Sequence, residues 1–257
     1  MPHGNRPPRR SRGAVVLTAA LTLALALGGC ANDRVTPKDA RADAPLDARG
    51  GFGSVDCRQA RCIALTFDAG PGKDTPRLLD TLKEKTVPAT FFLLGMNHIM
   101  KYPTVVKRIA DEGHEVANHT WTHPVLTDLS EDEIRDELEG PQGELEQITG
   151  RRPTLMRPPQ GRTDDKVTAV AKELGLSQVL WSVTAKDYET DDPELIERRV
   201  LDQAARDGII LLHDIYKGTV PAVPGIIDKL KARGYTFVTV PQLLAPAEPE
   251  PGTIYKP

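Results

Sequence analysis

Cysteine is scarce in this chain, with three in 257 residues, and so is any excess of one charge: 33 basic side chains face 36 acidic ones, for a net charge of −3. A pI of about 6.1 removes the broad basic footprint of a nucleic-acid binder. Long apolar runs are missing as well. The longest, Ala14 to Leu27, is 14 residues and falls short of the roughly 20 needed to span a hydrocarbon core. Internal repeats and low-complexity blocks are also lacking. What is present is 39% hydrophobic and 27% charged residues, an ordinary globular composition with enough apolar side chain for a core, which excludes disorder throughout. The length fits one large domain or two small ones. Gly and Pro are plentiful, at 21 and 22, and imply many turns between short elements rather than a helical bundle.

The first thirty residues stand apart. Arg6, Arg9, Arg10 and Arg12 form a basic start without an acid, followed by the apolar run and then Leu27-Gly28-Gly29-Cys30. The run has the length of a secretory signal core. Its end resembles a bacterial lipobox, in which the Cys becomes the lipidated N-terminus; a plain signal peptide with an incidental Cys is the alternative. Cleavage before Cys30 leaves 29 basic against 36 acidic side chains, an acidic mature protein of charge −7. The chain then divides into a signal peptide over 1–29, a lipid-anchored tether over 30–56, a domain over 57–245 and a Pro/Glu tail with little structure over 246–257.

Cys57 and Cys62 remain, five apart just before a predicted strand. Outside the cell a disulfide between them is permitted. Two reduced, buried thiols are the alternative, and a zinc pair lacks the second pair that would complete four ligands.

From Cys62 onward, short apolar runs alternate with amphipathic stretches. Strands are predicted at Ile63–Phe67, Thr90–Leu94, Glu115–Ala117, Thr154–Met156, Gln178–Val183, Ile209–Leu212 and Thr236–Val240. Helices are predicted at Pro76–Lys85, Thr104–Glu112, Glu131–Ile148, Asp164–Leu174, Pro193–Ala205 and Pro221–Arg233. Ser130 with Glu133 reads as a capping box, Asp192-Pro193 as a helix start, and Gly113, Gly175 and Gly234 as stops. Gly140-Pro141 interrupts the third helix and predicts two pieces or a bend. Strict alternation predicts an α/β fold with a parallel sheet, open or closed into a barrel.

Chemistry-bearing residues follow the predicted strands: Asp68, His119 and His123, Arg157, Asp187, and His213-Asp214. In a parallel barrel the strand C-terminal ends converge on one face, where active sites are built. His119 and His123 stand at i and i+4, a spacing that suits two nitrogens on one metal if the segment takes a helical turn, and equally two ordinary loop histidines. Gly70 and Pro71 predict a tight turn holding Asp68 over a pocket. Arg157-Pro-Pro-Gln-Gly161 is stiff and holds a guanidinium at fixed reach from a carboxylate, favouring that carboxylate's charged form.

Five ordered segments, Thr66–Pro71, His119–His123, Arg157–Gly161, Thr184–Tyr188 and Leu211–His213, resemble the motifs of the polysaccharide deacetylases of the NodB-homology type, carbohydrate esterase family 4. The likeness covers about residues 62–244. It implies a distorted (β/α)7 barrel and metal-assisted hydrolysis of N- or O-acetyl groups on a sugar. By the same resemblance His119 and His123 hold a divalent metal, zinc foremost and cobalt otherwise. Asp68 is the general base and His213 the general acid. Arg157 orients Asp68, and Asp187 pairs with His213. The Gln160 backbone N–H holds the oxyanion, Tyr188 faces the sugar, and Leu211 lines the acetyl-methyl pocket. The expected partner is an acetylated polysaccharide, with peptidoglycan ahead of chitin-type oligomers and acetylated xylan because a lipid on Cys30 would hold the protein beside the cell wall. The expected place is the outer face of the cell membrane, or outside the cell. Neither nucleic acid nor an obligate protein partner is indicated.

The sequence departs from that pattern at Ala69, where the family places the Asp that is its third metal ligand. Asp74, in the same predicted loop, is a candidate substitute. Gln160 replaces Tyr, Tyr188 replaces Trp, and Thr184 replaces an Asp. Base, acid, both His and the Arg are retained, which favours an active enzyme. The other readings are a catalytically impaired sugar-binding protein of the same fold and a hydrolase cutting a different C–N bond.

Overall fold

Ten residues from Arg61 to Gly70 form the longest strand of the structure, a computed structural model that describes residues 1–4, 34–44 and 55–257. The expected signal segment from residue 5 onward, Cys30 and most of the expected tether lie outside the described residues. From Ala31 to Pro257 the chain forms one unit. It opens with β1 (Arg34–Val35) and α1 (Pro37–Asp43), then the long strand β2 (Arg61–Gly70), α2 (Thr75–Lys85), β3 (Thr90–Leu93), α3 (Pro103–Asp111) and β4 (Glu115–Asn118). It continues through α4 (Glu131–Thr149), β5 (Leu155–Met156), α5 (Asp165–Glu173), β6 (Ser177–Val179), β7 (Val183–Thr184), α6 (Pro193–Gln203) and β8 (Gly208–Leu212). The last elements are α7 (Thr219–Ala232), β9 (Tyr235–Val238), α8 (Val240–Leu244) and β10 (Ile254–Tyr255).

All the pairings are parallel, in the order β1-β10-β6-β5-β4-β3-β2-β8-β7, and β9 pairs with the first half of β2. With helices outside the curled sheet, this is a distorted parallel (β/α) barrel. Alternation along β2 sorts its side chains. Ile63, Leu65 and Phe67 face outward into the core shared with Leu78, Ile196, Val223 and Ile227 of the helices. Cys62 and Ala64 face inward with Phe92, Ala117, Leu155, Val179 and Ile209. The same parity aims Thr66 and Asp68 into the barrel. Burial on both faces explains why β8 reads Gly-Ile-Ile-Leu-Leu without a polar residue.

The interior is closed by α1 and α8, whose Ala40, Val240, Leu243 and Leu244 pack against the Cys57–Cys62 disulfide. Asp207, just before β8, lies at this end. It takes Arg41 Nη2 into a buried ion pair of 2.8 Å, while Arg41 Nη1 donates to the Leu243 carbonyl at 2.5 Å.

These contacts correct two expectations. Residues 34–44, read as tether, form a strand and a helix docked on the domain. In the C-terminal stretch, read as having little structure, Ile254 and Tyr255 form a strand between β1 and β6. Two further differences have local causes. The predicted strand Gln178–Val183 splits in two: Leu180 N–H donates to the Tyr255 carbonyl and Ser182 N–H to the Ile209 carbonyl, so residues two apart serve different neighbours. The helix over Gly140-Pro141 is continuous, and Gly140 is where the Trp121 ring lies against it, with room for a Cβ only 3.0 Å from the indole.

Candidate active site

Strand C-terminal ends carry the site. Asp68, near the end of β2, is 3% exposed and receives Arg157 Nη1 at 2.6 Å. Arg157 itself is fully buried. Its Nη1 also donates to Thr66 Oγ1 at 2.8 Å, its Nε donates to the Val179 carbonyl at 2.9 Å, and its guanidinium lies 4.0 Å from the Phe92 ring centroid. Burial lowers the Arg157 pKa, against the opposing pull of Asp68. Trp181, in the gap between β6 and β7, covers the other side at 5.7 Å.

His119 follows β4. Its Nδ1–H donates to the Arg157 carbonyl at 2.8 Å, because a carbonyl can only accept, and this leaves Nε2 without a proton, 3.8 Å from Asp68 Oδ2. Burial pushes the His119 pKa down to about 4, with Asp68 opposing, so the ring is neutral at pH 7. His123 lies beside it, ring centroids 4.9 Å apart, and burial lowers its pKa too. The two rings meet without the helical turn expected from their spacing. Instead, Thr120 and His123 take left-handed backbone, with φ of 71° and 66°. Glu137 of α4 supports this loop by accepting the backbone N–H groups of Trp121 and Thr122 at 2.9 and 2.8 Å.

His213 follows β8. Its Nδ1 donates to Asp187 Oδ1 at 2.9 Å, and its backbone N–H donates to Asp187 Oδ2 at 2.7 Å. Burial opposes the charged ring, yet the Asp187 hydrogen bond and charge outweigh it, with Asp68 adding, and the His213 pKa is raised. Thr219 also donates to Asp187, at 2.7 Å. Leu211 is buried one turn of the pleat earlier, while Tyr188 stands 53% exposed with its ring 6.1 Å from His213. Gln160 is exposed in a short 3₁₀ turn with φ 58°.

Left-handed backbone at non-glycine residues is uncommon and gathers at functional sites. Here Ala69, Thr120, His123, Gln160 and Lys186 all show it, and each lies in or beside one of the five motifs.

The donor set fits a divalent metal in part. Two neutral imidazoles, one with its nitrogen bared by the partner of the other nitrogen, are suitable first ligands. Ala69 supplies no oxygen, and among the described residues no group of three or more His, Cys, Asp or Glu is placed to hold an ion. Asp74 is not grouped with His119 and His123; it stands at the N-cap position of α2 without a side-chain capping hydrogen bond.

Sequence reasoning missed Glu137, Trp181 and Tyr216. Tyr216 is 36% exposed with its ring 5.3 Å from His213, on the side opposite in sequence to Tyr188. Its place three residues after His213, in the same loop, was the available signal. Nothing local marks Glu137, which acts across the fold.

A family model described as polysaccharide deacetylase matches residues 56–179. The peptidoglycan-N-acetylglucosamine deacetylase PgdA of Listeria monocytogenes is 42% identical over 182 residues, 70% of this chain and 38% of that protein. The chain thus spans well under half the length of that relative. A peptidoglycan-N-acetylglucosamine deacetylase of Bacillus cereus is 40% identical over 186 residues, 70% of this chain and 67% of that protein. A solved structure described as a T48 deacetylase with substrate superposes with a TM-score of 0.75 at 41% identity, covering 79% of this chain and all of that one.

Proposed function

The chain belongs to the polysaccharide deacetylase family, and on that premise we propose that it hydrolyses N-acetyl groups from the glycan of peptidoglycan. The observation that carries this reading is the pairing of two opposed devices at one barrel mouth: Asp68 held by Arg157, and His213 held by Asp187 with its pKa raised. Asp68 takes a proton from water as the water oxygen attacks the acetyl carbonyl carbon. His213 gives its Nε2 proton to the departing nitrogen as the C–N bond breaks, so the products are acetate and the free amine of the sugar. Arg157 keeps Asp68 oriented, and Asp187 favours the protonated form of His213 and fixes its ring.

His119 and His123 would hold a divalent ion, zinc foremost and cobalt otherwise, which polarises a carbonyl and acidifies water when bound. The Gln160 backbone N–H faces the developing oxyanion. Leu211 lines the pocket of the acetyl methyl, and Tyr188 contacts the sugar ring. Relatives named for peptidoglycan support that substrate over chitin or xylan. A lipid on Cys30 would leave residues 31–33 between anchor and β1, a much shorter link than the expected tether, and would hold the domain beside the wall.

Acetate release from peptidoglycan and from N-acetylglucosamine oligomers, with and without zinc or cobalt, tests the reading. Wild type is expected to turn over, with Asp68→Asn and His213→Ala each reducing kcat by about a hundredfold or more. Silence of wild type with every metal, with turnover appearing in Ala69→Asp, would transfer the conclusion to a sugar-binding protein of the same fold. The disulfide Cys57–Cys62 stands at the other end of the barrel and takes no part.

A further inference from the structure

Asp214 follows His213 and is fully buried, yet it has no part in the chemistry above. Its Oδ2 accepts the Thr75 hydroxyl proton, and the same Thr75 oxygen accepts the Gly72 backbone N–H at 2.7 Å. Its Oδ1 has no hydrogen-bond partner. The carboxylate instead presses on the backbone of Gly70: a Cβ built there would stand only 2.7 Å from Oδ2 and 2.8 Å from the carboxyl carbon. Gly70 ends β2, two residues beyond Asp68, where the register with β3 shifts between Asp68 and Gly70. β8, which leads into His213, is hydrogen-bonded to β2 along Ile63–Phe67, and this pairing stops just short of both chemical groups. Beyond that point the two chain ends meet through Asp214, on Thr75 and Gly70, and through Ile215, which lies against Gly72.

We propose that Asp214 is a positioning residue, which clamps the β2 end carrying Asp68 to the β8 end carrying His213 through Thr75 and the bare backbone of Gly70. A buried carboxylate with one unpartnered oxygen is costly unless the arrangement is needed, and displacement of a catalytic group by about 1 Å can cost a hundredfold in rate. Glycine at 70 is required because any side chain would occupy the carboxylate's place. Burial raises the Asp214 pKa to about 6, consistent with a carboxyl shut away from water at the loop junction.

The role rests on the deacetylase reading for its effect on rate, and on the structure alone for its effect on the loop, so the test has two arms. In the first, Thr75→Val, which keeps the shape and removes the hydroxyl, and Asp214→Ala are expected to raise amide hydrogen exchange over residues 70–75 at least tenfold, while Thr75→Ser leaves it within twofold. In the second, acetate release by Thr75→Val and Asp214→Ala is expected to fall at least tenfold in kcat with KM within twofold, and Thr75→Ser to restore wild-type kcat. Unchanged loop exchange in Thr75→Val overturns the clamp, whatever the enzyme's activity. Loosened exchange with kcat within twofold of wild type overturns its positioning role. A wild type that releases no acetate counts against the deacetylase reading, and the exchange arm still decides the clamp. If Asp214→Ala does not fold, Thr75→Val and Thr75→Ser carry both arms.

Discussion

Asp187 holds His213 twice, taking the imidazole Nδ1–H on one oxygen at 2.9 Å and the backbone N–H on the other at 2.7 Å. The first bond fixes the tautomer and leaves Nε2 toward the pocket; the second fixes the loop on which the ring stands. Because the His213 pKa is raised, its protonated form persists to higher pH than that of a free imidazole. The limb of a pH–rate profile that reports loss of this acid therefore lies on the alkaline side. Asp187→Asn removes the charge and keeps the shape. It is expected to move the alkaline limb to lower pH and to lower kcat by about tenfold or more at pH 8, measured as acetate release between pH 5 and 10.

Arg157 is used in three directions at once, toward Asp68, Thr66 and the Val179 carbonyl, with its guanidinium carbon over the Phe92 ring. A lysine ammonium has the charge but not the fork. Arg157→Lys is expected to lower kcat/KM at least tenfold, and Arg157→Met, which leaves Asp68 buried without its cation, to cost about 3–5 kcal/mol of stability. Chemical denaturation and initial rates check the two separately.

The motif residues were legible in the sequence because each sits at the C-terminal end of a strand, and strands in a parallel barrel deliver their ends to one face. Asp68, His119, Arg157 and His213 were placed by that rule, and their roles came from the resemblance of the five ordered motifs. What stayed hidden depends on contacts between distant segments. Glu137 lies on a helix whose pattern shows only an acidic, solvated face, yet it holds the loop of both histidines. Trp181 was read as mid-strand, although the strand divides there and frees its ring to cover Arg157. β1 and β10 have two residues each, too few for alternation to register; β10 is a strand because it pairs with β6, and β1 because it pairs with β10. Pro141 is read locally as a breaker. The helix runs through it because its other side chains, Ile134, Leu138 and Leu145, are buried in the fold.

Ala69 has φ 60°, a region where Asp and Asn are far commoner than Ala. A carboxylate introduced there meets no added backbone cost and stands next to Asp68 in sequence. Ala69→Asp is accordingly expected to tighten zinc binding tenfold or more, the scale of an added anionic ligand against two imidazoles. Competition against a chromophoric chelator measures this without reference to turnover. Equal affinity in the two proteins would place the ion elsewhere than at His119 and His123.

Arg41 and Asp207 form a buried ion pair at the end of β8 opposite His213. Arg41 is 4% exposed and comes from the segment that composition marked as tether, so its contribution decides whether that segment belongs to the folded domain. Removing it leaves Asp207 facing only Arg206, whose Nε is 3.8 Å away and whose side chain is half exposed. Breaking a buried pair on one side typically costs 3–5 kcal/mol, and the remaining cation places Arg41→Met near the lower figure, about 3 kcal/mol. Arg41→Met/Asp207→Asn, which removes both charges, is expected to recover part of that loss. kcat well below the melting temperature is expected to match wild type in both. A segment that were only a tether would give no change in the denaturation midpoint, whereas a docked one moves the midpoint and leaves the chemistry at the other end of the barrel untouched.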